Sequence, residues 1–487
     1  MSKTRVLIIG AGEAGIMLAR EVNRSPLKEV VAFLDDDSKK KSQSYNGIPV
    51  VGTLIDAPEV IETQYIDEVL IAIPSAAASV ISHLVQRILH SHPHVALHKM
   101  PAPEKYFDSV PLIPSLHDIS VLDLLQRKDL SIDIDQITDI FKDKTVLITG
   151  AGGSIGSEIL RQLLKFKCKK IIACGRGEHS IYELAKSLDQ YIPFMDEPPV
   201  IEYNIVNITD INHLNIIFEK NKPDVVVHAA AHKHVPLMEY NEAEALFNNI
   251  GGTLNVLKIS HKYNIEKFIF ISTDKAVRPS NIMGATKRIS ELLTQYYCDS
   301  MNLNTAVVRF GNVLGSRGSV VPLFQEQILK GGPLTVTDRR VTRYFMTIPE
   351  SSLLVLNAAA CSTGGETFVL KMGDPVKIDD LARRLIELNG LIPDEDIEIV
   401  YSGLRAGEKL YEELFYNDDS LSTTANDLIM MQKNEDESLS GNDIEKIENF
   451  LKNIWNKNPD EIRNWIKEMI PQYEYETNSE TKQRIVN

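Results

Sequence analysis

Thr145-Val-Leu-Ile-Thr-Gly-Ala-Gly-Gly-Ser-Ile-Gly156 decides the fold of this chain. A β-branched run leads into glycines at 150, 152, 153 and 156, and a helix-like stretch, Ser157–Lys165, follows. Glycines at a strand end let backbone N–H groups approach a pyrophosphate, and the helix N-terminus adds a partial positive charge. The same order occurs near the N-terminus: Arg5–Ile9, then Gly10-Ala-Gly-Glu-Ala-Gly15, then Ile16–Asn23. Strand-like runs follow each glycine turn. They are Val30–Leu34 and Glu68–Ile73 after the first, and Lys170–Cys174, Val200–Ile205, Val225–Ala229, Lys267–Ser272 and Thr305–Arg309 after the second. Strands alternating with helices predict parallel sheets covered on both faces.

The fold class is therefore α/β, with two Rossmann-like doubly wound parallel-sheet domains at 1–125 and 143–432. A polar helical connector, 126–142, joins them. A small α/β substrate cap is expected after Gly364-Gly365, from amphipathic Ile378–Asn389 and a strand at Glu398–Tyr401. Residues 433–487 form an acidic tail; within 435–487, 12 acidic and 7 basic residues give 7 − 12 = −5. Short helices are predicted at Asp443–Trp455 and Pro459–Met469, and Trp455 and Trp465 predict that the tail docks.

The whole chain of 487 residues carries 52 basic and 67 acidic groups, a net charge of −15. That excludes a general binder of nucleic acid or anionic membrane, both of which need a positive field. No run approaches the roughly 20 apolar residues of a membrane helix. The four cysteines include no CxxC pair, which fits a reducing cytoplasm and argues against a disulfide framework. The histidines at 90, 92, 94 and 98 match no defined zinc spacing, so no metal is expected.

Each glycine turn has two readings. Gly10–Gly15 either binds a ligand or only packs a strand on a helix, and Asp35–Asp37 either meet a ribose or make a solvated turn. The second turn has the TGxxGxxG form, which resembles the extended short-chain dehydrogenase/reductase superfamily. It predicts NAD(P) held by Gly150, Gly152, Gly153, Ser154, Ile155 and Gly156, with Ala229, Ala230, Lys233 and Asn248 beside it. The next strand ends in Cys174-Gly-Arg176 with no acid. An Arg there suits the 2′-phosphate of NADP, which is slightly favoured, or else stacks on the adenine.

Further motifs fall at strand ends: His228-Ala-Ala-Ala-His-Lys-His-Val-Pro236, Asn248-Asn249, Ser272-Thr-Asp-Lys275, Met283-Gly-Ala-Thr-Lys287, Arg309–Gly318, Thr342–Met346 and Leu404-Arg-Ala-Gly-Glu-Lys409. Together they resemble the polysaccharide-biosynthesis nucleotide-sugar 4,6-dehydratases, and within them the large retaining UDP-N-acetylglucosamine 4,6-dehydratases. Those relatives begin with membrane helices. The present chain reads as cytoplasmic, either a short form or a piece that starts after such helices.

The resemblance implies a lyase that oxidises C4 of UDP-N-acetylglucosamine, eliminates water across C5 and C6, and reduces C6. Asp274 is then the acid at O6, Lys275 the base at C5, and Thr273 a partner of O4. Lys287 would bind the nicotinamide ribose. Lys275 must be partly neutral, which burial and the nearby Lys287 are expected to favour. Met283 stands where short-chain dehydrogenases place a tyrosine; a thioether takes no proton, so the base for the 4-hydroxyl is open. The UDP-N-acetylhexosamine would meet His234, Asn312, Arg317, Arg343, Arg405 and Glu408, although any of these could be a structural ion pair. The rival readings are a C4 or C5 epimerase and a non-catalytic nucleotide-sugar-binding regulator. A homodimer or larger homo-oligomer is expected through Met283–Cys298.

Overall fold

The computed structural model describes residues 3–25, 27–73, 76, 78–92, 95–99, 117–118, 134–189, 191–389, 391–416, 421–432 and 438–475. They form two compact units: Met1–Leu130 with Leu323–Val336 and Ile378–Tyr401, and Ser131–Pro322 with Thr337–Lys377 and Ser402–Asn487. The connector's residues 126–133 lie outside the described residues, and its last part is the helix Ile134–Phe141.

The first unit holds strands β1 (Thr4–Ile9), β2 (Lys28–Leu34), β3 (Ser44–Tyr45), β4 (Ile48–Gly52), β5 (Glu68–Ile71), β6 (Ala96–Lys99) and β7 (His117–Asp118), in the spatial order β3-β4-β2-β1-β5-β6-β7. Central β1 runs parallel to β2 and β5, and Val6, Leu7, Ile8 and Ile9 are fully buried. A strand covered on both faces needs such a continuous apolar run. Helix α1 (Glu13–Val22) follows the glycine turn.

The segments 323–336 and 378–401, read from sequence as part of the second domain, group with this first unit instead. Helix α2 of the cap, Ile378–Leu388, buries Ile378, Leu381, Ala382, Leu385 and Ile386 along one stripe. Leu388, at its end, packs against the Leu7–Ile9–Leu34 core. An apolar stripe must find cover, and here the first unit supplies it.

The second unit is built on a nine-stranded sheet. Its strands are β8 (Thr145–Thr149), β9 (Lys170–Gly175), β10 (Val200–Ile205), β11 (Val225–His228), β12 (Lys267–Ile271), β13 (Thr305–Arg309), β14 (Glu366–Leu370), β15 (Leu421–Thr423) and β16 (Ile429–Gln432). They lie in the order β10-β9-β8-β11-β12-β13-β14-β16-β15. All are parallel from β10 to β14; β16 and β15 add antiparallel pairs. The strand order reverses between β8 and β11, the crevice where open sheets of this kind hold ligands.

The acidic tail is part of this unit. Helices Gly441–Lys452 and Pro459–Met469 bury Ile444, Ile447, Leu451, Ile462 and Ile466 in one cluster with Ile282, Met283, Ile289 and Leu293. Each such side chain contributes about 1.5–3 kcal/mol of apolar burial. Trp465 stacks on Phe450 at 4.2 Å, and Trp455 lies 5.3 Å from Phe247. Buried Arg463 reaches Glu239 at 3.0 Å and Glu242 at 2.9 Å. The helix expected to pair two subunits, Ile282–Met301, thus spends its apolar face inside its own chain; Ile282 to Thr294 are buried.

Candidate active site

The turn after β8 is built by close backbone approach. Gly150 has φ +69, and a Cβ there would come 2.7 Å from Ala230 N and 2.8 Å from the Ala229 carbonyl carbon. Gly153 caps the helix Ser154–Leu163, and among the described residues no side chain caps that N-terminus. Its first N–H groups therefore point outward with no acceptor from a side chain. Arg317 closes one side: its N–H donates to Ser154 Oγ at 3.1 Å and its Nη1 donates to the Gly152 carbonyl at 2.9 Å. Ile155 packs into the core beneath. The cradle fits the pyrophosphate of a dinucleotide: a helix N-terminus without a side-chain cap, a turn too tight for any Cβ, and a guanidinium at its rim.

Arg176 sits just past β9, exposed, with Nη1 3.3 Å from Glu244 Oε1. A 2′-phosphate placed at Arg176 would face that carboxylate as well, which weakens the leaning toward NADP. Lys233 reaches Ser316 Oγ at 3.4 Å, and burial lowers its pKa. Asn248 donates to Asn249 Oδ1 at 2.9 Å. Asn249 then holds His232 by both its backbone groups and donates to Thr286 Oγ1 at 2.9 Å. These asparagines lie in a π-helical segment, Leu246–Gly251.

The Ser272-Thr-Asp-Lys275 stretch leaves β12 and forms a short 3₁₀ turn, Asp274–Ala276. Thr273 Oγ1 donates to Asp274 Oδ1 at 2.8 Å, and Lys275 Nζ donates to the same oxygen at 3.0 Å. Asp274 is 1% exposed, and its Oδ2 has no hydrogen-bond partner. That oxygen lies beside Gly311, where a Cβ would come within 2.9 Å. Lys275 also donates to Asn312 Oδ1 at 3.2 Å and lies 3.7 Å from Glu412 Oε1. Burial works against the charge on Lys275, but Asp274 and Glu412 outweigh it and raise its pKa above the ordinary lysine value; Arg343 pulls the other way. The expected lowering of this pKa by burial and Lys287 is thus corrected: two carboxylates win over desolvation, and the opposing cation is Arg343.

Helix Ile282–Met301 begins at Asn281, whose side chain accepts from Gly284 N–H. Gly284 presses on the Lys275 carbonyl, where any Cβ would overlap, so the helix start fixes the lysine's backbone. Met283 is buried in the apolar cluster shared with the tail. Lys287 donates to the Ile271 carbonyl at 2.6 Å and lies 3.9 Å over the Phe270 ring. Burial pushes its pKa down to about 7, against a smaller opposing pull from Glu291. His228 is the last residue of β11. It is fully buried between Thr149 Oγ1 (2.6 Å) and Thr253 Oγ1 (3.0 Å), and burial, with Lys287, holds its pKa near about 3, so it is a neutral strut.

The expected substrate residues divide. Arg343 lies 3.2 Å from Glu408 and 3.9 Å from Glu412, and donates to the carbonyls of Thr342, Lys409 and Leu410. Glu408 also accepts from Thr337 and from Arg405 N–H. Arg405 itself is exposed. Arg317 stands at the glycine turn, so it meets the cofactor cradle first. The His234 ring lies against Gly318 of the same loop; burial and Lys233 lower its pKa. Glu412 escaped the sequence reading, since no spacing links it to Lys275.

In the first unit Gly10 has φ +105, and a Cβ there would come 2.5 Å from the Ala72 carbonyl oxygen. Ala11 N–H donates to Asp35 Oδ2 at 2.7 Å, and Lys40 Nζ pairs with the same oxygen at 2.8 Å. Burial opposes the charge on Asp35, but Lys40 and backbone donors outweigh it and lower its pKa. His94 and the side chain of His90 lie outside the described residues. Among the described residues no group of three metal ligands is found, and no helix is long and apolar enough to cross a membrane.

Comparison with known proteins places this geometry. A polysaccharide biosynthesis protein family model matches residues 146–434, and a CoA-binding domain model matches residues 2–97. The capsular polysaccharide biosynthesis protein CapD of Staphylococcus aureus is 48% identical over 422 residues, covering 85% of this chain and 69% of that one. A UDP-N-acetylglucosamine 4,6-dehydratase (inverting) of Campylobacter jejuni is 37% identical over 286 residues, covering 58% and 80%. The solved structure of Pen from Bacillus thuringiensis aligns with a TM-score of 0.55 at 36% identity, covering 62% of this chain and 90% of that one. The strand-end motifs, the doubly wound sheet and these matches converge: the chain belongs to the polysaccharide biosynthesis protein family of nucleotide-sugar dehydratases and epimerases.

Proposed function

We propose that this chain is an NAD(P)-dependent UDP-N-acetylglucosamine 4,6-dehydratase that makes a UDP-4-keto-6-deoxy-N-acetyl sugar for a surface glycan. The observation that carries this reading is the hydrogen-bonded Thr273–Asp274–Lys275 cluster, whose buried Asp274 Oδ2 lacks a partner. An epimerase needs no acid at O6, whereas a buried carboxylate oxygen without a partner suits a departing hydroxyl.

NAD(P), when bound, would supply the redox chemistry, as hydride acceptor for C4 and donor for C6. Gly150, Gly152, Gly153, Ser154 and Gly156 would hold its pyrophosphate, with Arg176 and Glu244 near the adenosine ribose and Lys287 near the nicotinamide ribose. The residues of the chain handle the protons. Thr273 Oγ1 accepts the proton of the 4-hydroxyl and passes its own to Asp274 Oδ1, 2.8 Å away. This relay supplies the base that Met283 cannot. Asp274, now neutral, turns its carboxyl so that the proton received on Oδ1 faces O6, and protonates it as water leaves. Lys275, which rests charged, first passes its own proton to a neighbouring carboxylate; as the free amine it then removes the C5 proton, made acidic by the neighbouring ketone, and gives it back to C5 after C6 is reduced. Arg343, Arg405 and Asn312 would hold the diphosphate and sugar.

The test is incubation with UDP-N-acetylglucosamine and NAD or NADP, read by mass spectrometry. Loss of one water per sugar supports dehydration; an isomer of unchanged mass supports the epimerase reading; tight binding without turnover supports a regulator.

A further inference from the structure

Lys275 is held by more acid than its proposed role requires. Its Nζ faces Asp274 on its own turn, Asn312 from the loop after β13, and Glu412 from the segment after Lys409, with Arg343 behind Glu412. The side chains of Asp274, Glu412 and Arg343 are 0%, 5% and 7% exposed, and that of Lys275 is 17% exposed. Arg343 already has a carboxylate partner in Glu408, and Lys275 has one in Asp274. Glu412 is thus a surplus negative charge among buried groups. A buried charge without a task is costly, so its position calls for a reason.

We propose that Glu412 is a positioning residue that stores the proton of Lys275 during the elimination. The proposal rests on the dehydratase reading above. When the 4-hydroxyl proton reaches Asp274 through Thr273, Asp274 becomes neutral and Glu412 is the one carboxylate left facing the ammonium. The Lys275 ammonium then gives its proton to Glu412, leaving a free amine and a neutral carboxylic acid. The amine takes the C5 proton; the C5–H electron pair forms the C5–C6 double bond, and the 6-hydroxyl departs as water with the Asp274 proton. After C6 is reduced, the ammonium returns its proton to C5, and Glu412 returns the stored proton to Lys275. The O4 proton has ended in the water, and every residue is restored without exchange with solvent. Glu412 Oε1 stands roughly 0.8 Å beyond an ordinary N–H···O distance, so a small side-chain movement completes the contact.

Lys275 rests charged, held so by Asp274 and Glu412, so it cannot take the C5 proton until it has passed one on; neutralising Asp274 removes one of the two carboxylates that keep it charged. Glu412→Gln keeps the size and removes the acceptor. The expected result with UDP-N-acetylglucosamine is a kcat at least about a hundredfold lower, as for loss of a general base. KM should stay within about threefold, and reduced cofactor should accumulate at the 4-ketone stage because oxidation does not need Glu412. Glu412→Asp should recover part of the lost kcat, which a purely structural role would not give. A Glu412→Gln enzyme with kcat within about threefold of wild type, or one whose kcat falls without accumulating reduced cofactor, overturns the proposal. If Glu412→Gln fails to fold, as read by circular dichroism, Glu412→Asp decides alone: unchanged kcat and pH profile overturn the proposal, and a lowered kcat with accumulated reduced cofactor supports it. Wild-type enzyme that releases no water would instead sink the dehydratase reading, a separate readout.

Discussion

The two glycine turns of this chain share a motif and differ in what surrounds it. Gly10 and Gly150 both have left-handed φ angles at the end of a central parallel strand, and Gly15 and Gly156 both press on the carbonyl of the first glycine. In the second unit Arg317 closes the turn, Lys233 reaches Ser316 beside Arg317, and the cluster of Thr273, Asp274 and Lys275 stands past the end of β12 in the same sheet. In the first unit Asp35 takes the Ala11 N–H, and Lys40 neutralises Asp35. A strand–glycine–helix motif thus specifies a backbone shape. The chemistry comes from residues that the rest of the sheet delivers to it.

The largest expected effect is at the delivered residues. Lys275→Ala should lower turnover of UDP-N-acetylglucosamine by about 10²–10⁴, the usual range for a general acid or base, while nucleotide binding by calorimetry persists. Substituting the turns themselves comes next. Gly150→Ala forces a Cβ into Ala229 and Ala230 and should weaken NAD(P) binding more than tenfold by fluorescence titration. Gly10→Ala imposes comparable strain, roughly 1–2 kcal/mol for the left-handed backbone alone, yet should leave turnover within about twofold and speed hydrogen exchange of the β1 amides. Equal losses of turnover from both changes would erase the contrast between the turns.

Arg317→Ala should raise the NAD(P) dissociation constant by about tenfold, the low end of the roughly 1.5–3 kcal/mol that a hydrogen bond to a charged group is worth. The smallest effect is at Asp35. Its pKa is lowered in the folded chain, so its ionised form adds stability above the unfolded value of about 4 and loses it as the pH falls through the folded value. Asp35→Asn should therefore weaken β1 protection at neutral pH, converge with wild type in acid, and leave turnover unchanged.

The sheets are legible in the sequence because their central parallel strands are buried β-branched runs, as at Thr145–Thr149 and Thr305–Arg309. The helix starts earlier than the sequence pattern suggests: Ser154, not Ser157, opens it, because Gly153 itself is the cap. The cap's grouping with the first unit was not legible, since an apolar stripe shows that a helix needs cover but not which surface gives it. Antiparallel β15 and β16 carried no strong pattern. At the site, Thr273, Asp274, Lys275, Asn312, Arg343 and Glu408 do gather around one cluster. Glu412, Asn249 and His228 gained roles only through partners distant in sequence, such as Lys275 and Glu412 across the folded unit. The protonation of Lys275 is not legible in the sequence for the same reason: its second carboxylate, Glu412, comes from a distant segment.

The central claim is that one cluster removes water while hydride passes from C4 to C6. UDP-N-acetylglucosamine carrying deuterium at C4, incubated with the protein and NAD or NADP and followed by NMR, tests it most directly. The account predicts a 4-keto-6-deoxy product with the deuterium in its new methyl group, and the C5 signal gives the configuration at that carbon. A product that keeps its 6-hydroxyl, or a methyl group without the label, would contradict it.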